Sequence, residues 1–132
     1  MAHDFEAGQH TALRCWMNTL VGFVRSDQPD LTNRQMAILM SVYMQDGPHT
    51  VRGLAARLGV SKPVVTRALN TLGAYGYVRR RKDETDLRNV LIDQTPQGAD
   101  FLIEFSEQIL EAFGDADEQR PSFSNARSLP LA

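Results

Sequence analysis

A mainly α-helical domain carrying one small β-hairpin is the fold this sequence predicts. Three observations predict it. Apolar residues recur at helical spacing in five segments, two of those segments are joined by only Leu58-Gly59-Val60-Ser61, and two β-rich runs flank a charged turn at 82–87. The chain has 132 residues, 42% of them apolar, which suits one globular domain with a modest core. The domain is expected at 1–114, with the closely joined helices at 50–76, the hairpin at 77–94 and a flexible tail at 115–132.

The first helix is expected at 11–25, where Leu13, Trp16, Met17, Leu20, Val21 and Val24 form one continuous stripe. The polar run 26–30, with Pro29, breaks it. Thr32 and Gln35 have the spacing of a capping box and open a second helix with Met36, Leu39, Met40 and Tyr43 as its buried stripe; Gly47-Pro48 ends it. A third, short helix follows Thr50, with Val51, Leu54, Ala55 and Leu58 inward and Gly59 where a left-handed cap is wanted. Ser61 caps the fourth, which tolerates Pro63 in its first turn because that N–H has no helical partner. Its inward face is Val65, Ala68, Leu69 and Leu72, and Gly76 closes it.

Such a tight connection between helices three and four is that of a helix-turn-helix. A strand then begins at Tyr77-Val78, and Arg88 to Ile92 return antiparallel to it. Thr95-Pro96 open a last helix with Phe101, Leu102, Phe105, Ile109 and Phe113 as its apolar side. Beyond Gly114 no apolar period continues.

The formal charge of −2 conceals an uneven distribution. Between His49 and Pro96 nine basic residues stand against four acidic ones, a net of +5, which leaves −7 for the rest. On the fourth helix Lys62, Thr66 and Asn70 repeat every four residues opposite the core face, flanked by Ser61, Pro63, Val64 and Arg67. A cation, a hydroxyl, an amide and small apolar groups are what a helix needs to read base edges in a major groove. Alone, that face reads as readily as an ordinary solvated surface. The hairpin shifts the balance, because Arg79, Arg80, Arg81 and Lys82 are consecutive, have few acids near them in sequence and suit phosphate. Arg88, across the turn, suits the negative potential of a minor groove. A helix-turn-helix followed at once by a basic hairpin is a winged helix, with double-stranded DNA as its expected partner. A winged helix that binds protein is the alternative.

The residues 54–69, and more sharply Gly76-Tyr77-Val78-Arg79-Arg80, Asp83-Glu84-Thr85-Asp86-Leu87-Arg88-Asn89-Val90 and Thr95-Pro96-Gln97-Gly98, resemble the MarR (multiple antibiotic resistance regulator) family of bacterial transcription regulators. The likeness covers about 11–113. It implies a winged helix-turn-helix with flanking dimerisation helices, and a repressor acting as a homodimer. It also implies that Asp86 orients Arg88 at the wing tip, and that Lys62, Pro63, Val64, Thr66 and Arg67 read bases and phosphates. Pro63 and Val64 depart from the hydroxyl residues common there, and Gln94 stands where the family has an apolar residue. A single C-terminal helix also leaves less chain for dimerisation.

Apolar surplus on the first and last helices (Trp16, Phe23, Phe101, Phe105, Phe113) is expected to pair two copies. Small aromatic effectors are common in the family, and Trp16, Met40 and Tyr43 are the candidate lining, although such residues at helical spacing also make plain core. Cys15, roughly opposite the first helix's stripe, is expected to face a partner or solvent and is a candidate redox sensor. His3, His10 and His49 are scattered, and the acids at 83, 84 and 86 suit a solvated turn, so neither catalysis, a metal nor a cofactor is expected. No signal-peptide pattern, no run long enough for a membrane span and one cysteine point to the cytoplasm.

Overall fold

Helix α1 (Ala7–Val24) begins four residues before the expected start at 11, because a cap rather than a stripe starts it: the Glu6 N–H donates to Gln9 Oε1 at 3.0 Å. The computed structural model describes residues 4–118; His3 and the tail from 119 onward lie outside the described residues. Further along come α2 (Asn33–Met44), β1 (His49–Thr50), α3 (Val51–Leu58), α4 (Lys62–Ala74), β2 (Val78–Lys82), β3 (Val90–Gln94) and α5 (Pro96–Glu118). The last of these continues past Gly114, where the apolar period stops, to Glu118. Among the described residues no helix is long and apolar enough to cross a membrane.

Contacts divide the chain into two units, one of residues 31–102 and one formed by the segments on either side of it. In the flanking unit α1 runs antiparallel to the later part of α5. Phe23 meets Phe105 edge-on at 5.0 Å, and further back along α1 Cys15 packs with Ala112, with Phe113 against them. The buried positions of α1 are Cys15, Thr19 and Phe23, one helical turn apart. Small side chains let the helices approach. Thr19 is fully buried because its hydroxyl donates to the Cys15 carbonyl at 2.9 Å, and a Cβ on Gly22 would overlap the Gln108 side chain.

This packing corrects two expectations. Of Trp16, Phe23, Phe101, Phe105 and Phe113, expected to pair two copies, Phe23, Phe101 and Phe105 are buried within the chain itself and Phe113 is half-buried, which leaves Trp16 exposed; beside it Leu13, Met17, Leu20, Val21 and Val24 are exposed too, from 42% at Leu20 to 70% at Val24. Cys15 does not face solvent; it is buried. The apolar stripe of the sequence is therefore the outer face of α1, and the narrower strip of Cys15, Thr19 and Phe23 is the inner one.

The central unit keeps more of its expected pattern. Val65, Ala68, Leu69 and Leu72 are all buried, as their spacing requires. In α2 the core face is rotated from the expected stripe: Ile38, Leu39 and Val42 are fully buried, while Met36, Met40 and Tyr43 are half-buried. The expected capping box forms, with Gln35 N–H to Thr32 Oγ1 at 3.1 Å and Thr32 N–H to Gln35 Oε1 at 2.9 Å. Gly59 (φ 67°) and Gly76 (φ 79°) take the left-handed conformation, which costs a residue with a Cβ about 1–2 kcal/mol.

The antiparallel sheet has the order β1-β3-β2. Two-residue β1, too short to show alternation, pairs His49 with Ile92 and Thr50 with Leu91. Strand β3 starts at Val90 rather than Arg88, because the Asn89 N–H closes a turn onto the Asp86 carbonyl at 2.9 Å. At the far end of the sheet Tyr43 is a junction. Its hydroxyl accepts from the Thr95 N–H at 2.8 Å and shares its proton between the carbonyls of Tyr77 (2.8 Å) and Thr95 (2.9 Å). Thr95 Oγ1 donates to the Gly76 carbonyl at 2.6 Å and caps α5 by accepting from the Gly98 N–H at 3.0 Å. A Cβ at Gly98 would overlap both the Tyr43 hydroxyl and the Tyr77 carbonyl, so the third residue of α5 has to be a glycine.

Candidate nucleic-acid interface

The two groups of residues that the sequence marks for DNA lie in the same unit, on α4 and on the β2–β3 hairpin. Burial of Val65, Ala68, Leu69 and Leu72 turns the other face of α4 to solvent. Ser61, Lys62, Pro63, Thr66, Arg67 and Asn70 are exposed and Val64 is half-buried. Ser61 occupies the N-cap position, yet its side chain makes no capping hydrogen bond. With no acid in the first turn and Lys62 at its start, this helix end carries an undiluted positive field.

In the hairpin, Arg79, Arg80, Arg81 and Lys82 are all exposed. Register pairs Arg80 with Ile92 and Lys82 with Val90, and Arg79 with Asp93 and Arg81 with Leu91, so the four cations divide between both faces of the sheet. One of them has a carboxylate partner: Arg81 Nε donates to Asp93 Oδ2 at 2.6 Å. The expectation that nearby acids are too few to neutralise this run therefore fails for Arg81. Asp93 is eleven positions beyond Lys82 in sequence but beside Arg81 across the ladder.

The turn is held by carboxylates. Asp83 Oδ1 accepts from the Thr85 N–H (3.0 Å) and hydroxyl (2.7 Å), and these bonds hold the Asp83 carboxyl below its ordinary range. Asp86 and Arg88 meet as expected. Arg88 Nε and Nη2 donate to the two oxygens of Asp86, each at 3.0 Å, and the Arg88 N–H donates to Oδ1 at 3.1 Å. The Arg88 side chain itself is 76% exposed. Those bonds, and the charge of Arg52, hold the Asp86 carboxyl low. Arg52, exposed on α3, is thus close enough to Asp86 to act on it, which sequence reading missed; spacing along the chain gives no sign of it.

The other candidates separate. Tyr43 spends its hydroxyl on the junction with Thr95, half-buried Met40 lies on the same helix, and Trp16 belongs to the other unit, 45% exposed with its edge toward Phe105 at 6.4 Å. Burial pushes the Cys15 thiol up, and its bond with Thr19 only partly offsets this. A thiol held in its protonated form is a poor nucleophile. His49 Nε2 is 2.9 Å from the Gln45 carbonyl and His10 is 3.5 Å from Arg14 Nη2, so each sits in a local contact. Gln94 takes up its polarity within the fold, its amide donating to the Val42 carbonyl at 3.1 Å.

A model of the MarR family matches residues 30–89, a segment that contains α2, α3, α4, β2 and the turn. No curated protein sequence shows significant similarity to the chain. Among solved structures, the chain is similar to a mutant of MepR from a multidrug-resistant S. aureus clinical isolate. The TM-score is 0.72 at 20% identity, covering 90% of this chain and 86% of that one, a likeness of fold. It is also similar to MepR in the S. aureus MepR–DNA complex, with a TM-score of 0.59 at 27% identity over 83% of this chain and 81% of that one. A third is the transcriptional regulator Tm0710 from Thermotoga maritima, with a TM-score of 0.58 at 27% identity over 83% and 69%.

Proposed function

With residues 30–89 those of a MarR-family winged helix, and the chain accordingly a DNA-binding transcription regulator, we propose that it acts as a homodimeric, sequence-specific repressor. In this reading α4 enters a major groove and the wing tip an adjacent minor groove. The observation that carries it is the Asp86–Arg88 clamp: a guanidinium fixed in direction by two carboxylate bonds, yet mostly in water. A buried ion pair would be structural. An exposed one gives little stability, so its orientation is what the turn supplies. That MepR has been solved in complex with DNA supports the choice of partner.

Roles follow from chemistry. Arg67 and Lys62 offer donors to guanine edges or phosphates, Asn70 to adenine, Thr66 a hydroxyl, and Pro63 and Val64 apolar contact for a thymine methyl. Ser61 and the start of α4 suit a phosphate. Arg79, Arg80, Lys82 and Arg52 add counterion release, and Arg81 a smaller share because Asp93 already pairs it.

The homodimer rests on the outer face of α1. Six large apolar side chains are exposed there, and Ile103 and Leu110 are exposed on α5, more apolar surface than an isolated chain keeps without use. A second copy presenting the same face would cover it and carry a second α4, one DNA turn or ~34 Å away. Repression is then the simplest outcome, since a bound dimer occupies its site against polymerase. An aromatic effector and a Cys15 redox switch are not part of the proposal, since Tyr43 and the thiol serve the fold.

Selection of duplexes from a random pool by the purified protein tests this reading. Recovery of an inverted repeat, bound more weakly as salt rises, is the expected result. A pool without consensus, or affinity indifferent to salt, would overturn it.

A further inference from the structure

The apex of the wing carries an apolar residue that the clamp does not explain. Leu87 and Arg88 are the two central residues of the turn that the Asn89 N–H closes onto the Asp86 carbonyl. Leu87 is 80% exposed, the most exposed of the large apolar side chains among the described residues. Turn centres in water are ordinarily filled by polar residues, glycine or proline, and a leucine there meets none of the needs of the turn itself. The turn beneath it is tightly held. Asp86 is bonded to Arg88 by three hydrogen bonds, Asp83 holds Thr85, and the Asp83 N–H reaches the Asn89 carbonyl at 3.4 Å. An apolar side chain on such a base projects from the tip whether or not anything covers it.

We infer that Leu87 is a second minor-groove contact of the wing, packing its methyl groups on deoxyribose and base edges beside Arg88. This rests on the DNA reading above and deepens it. A groove wall offers carbon as well as charge: sugar atoms line both sides, and apolar side chains are a common means by which proteins engage the minor groove. Leu87 is next in sequence to Arg88, whose direction the Asp86 carboxylate fixes, so a groove that receives Arg88 receives Leu87 with it. Its contribution is apolar, independent of counterions, and strongest at sequences whose minor groove fits the tip, so it acts on sequence preference through shape. Leu87 thereby separates two properties of one wing, with Arg88 supplying the electrostatic part and Leu87 the part that salt leaves untouched.

The experiment measures the affinity of the full chain for a duplex selected by the wild-type protein, across a range of salt, for the wild type, Leu87→Ala, Leu87→Lys and Arg88→Ala. Thermal melting of each serves as a fold control, and an exposed side chain predicts unchanged melting for both Leu87 variants. Leu87→Ala is expected to bind about tenfold more weakly at every salt concentration with the slope unaltered. Arg88→Ala lowers the slope by about one unit. Leu87→Lys raises the slope yet leaves the preference of the selected duplex over a mixed-sequence one reduced. Affinity of Leu87→Ala equal to that of the wild type overturns the inference alone. So does a loss accompanied by the reduced slope of Arg88→Ala, since Leu87 would then act only by placing the arginine. If Arg88→Ala and wild type also bind alike, the wing reading itself fails, a distinct outcome.

Discussion

At the scale of single residues, direction matters more than charge. Nine cations crowd the segment between His49 and Pro96, but the fold treats them unequally: Arg88 is aimed, Arg81 is paired and Arg79, Arg80 and Lys82 are exposed. Asp86→Asn keeps the turn's size while removing the charge that orients Arg88. It is expected to weaken binding to the selected duplex by about three- to tenfold in an electrophoretic shift assay, with less effect on melting. The sign with pH follows from the clamp. Arg88 holds the Asp86 carboxyl below its ordinary range, so the ion pair is complete above that range and is lost only as pH falls through the lowered value. Arg88-dependent affinity should therefore stay level from about pH 8 down to about pH 5, measured as the ratio of wild type to Arg88→Ala. Asp86, Arg88 and the exposed face of α4 were legible in the sequence because they are local. Arg52 and Asp93 were not, because only the folded chain brings Arg52 near Asp86 and Asp93 beside Arg81.

Among the elements, α4 was the most legible and α1 the least. Helix α4 has core on one side and water on the other, so its apolar spacing states its orientation. Helix α1 has apolar residues on both sides, and the larger ones mark the outer face. Hydrophobic periodicity reports where apolar groups lie, not which of two apolar faces the chain's own core will cover. Leu69→Ala, at a fully buried position, should cost about 2–5 kcal/mol of stability, whereas half-buried Leu58 should cost less on the same change. Gly98→Ala tests the junction of α2, the sheet and α5. The added Cβ overlaps a backbone carbonyl that cannot swing away, so a loss of at least ~2 kcal/mol is expected in chemical denaturation, large for so small a change. Gly98 entered the sequence reading only through resemblance. The reason for it is steric and appears only when Tyr43 and Tyr77 are placed beside it.

For the whole molecule, the outer face of α1 decides the assembly. Leu20→Glu places a charge in the middle of that face without touching the buried strip of Cys15, Thr19 and Phe23. Sedimentation should then show monomer where the wild type shows dimer, with melting little changed at low concentration and half-site cooperativity gone from the binding curve. Wild-type protein that sediments as a monomer at micromolar concentration would leave the face without its proposed occupant. The hydrogen bonds of Asp83 and Asp86 have a further bearing on how quickly such a dimer finds its site. A loose hairpin would have to search its own conformations after each collision with a duplex. This one meets every collision already shaped, so its arrival rate is governed by diffusion and the basic field of the central unit, and differences between operators emerge in residence time.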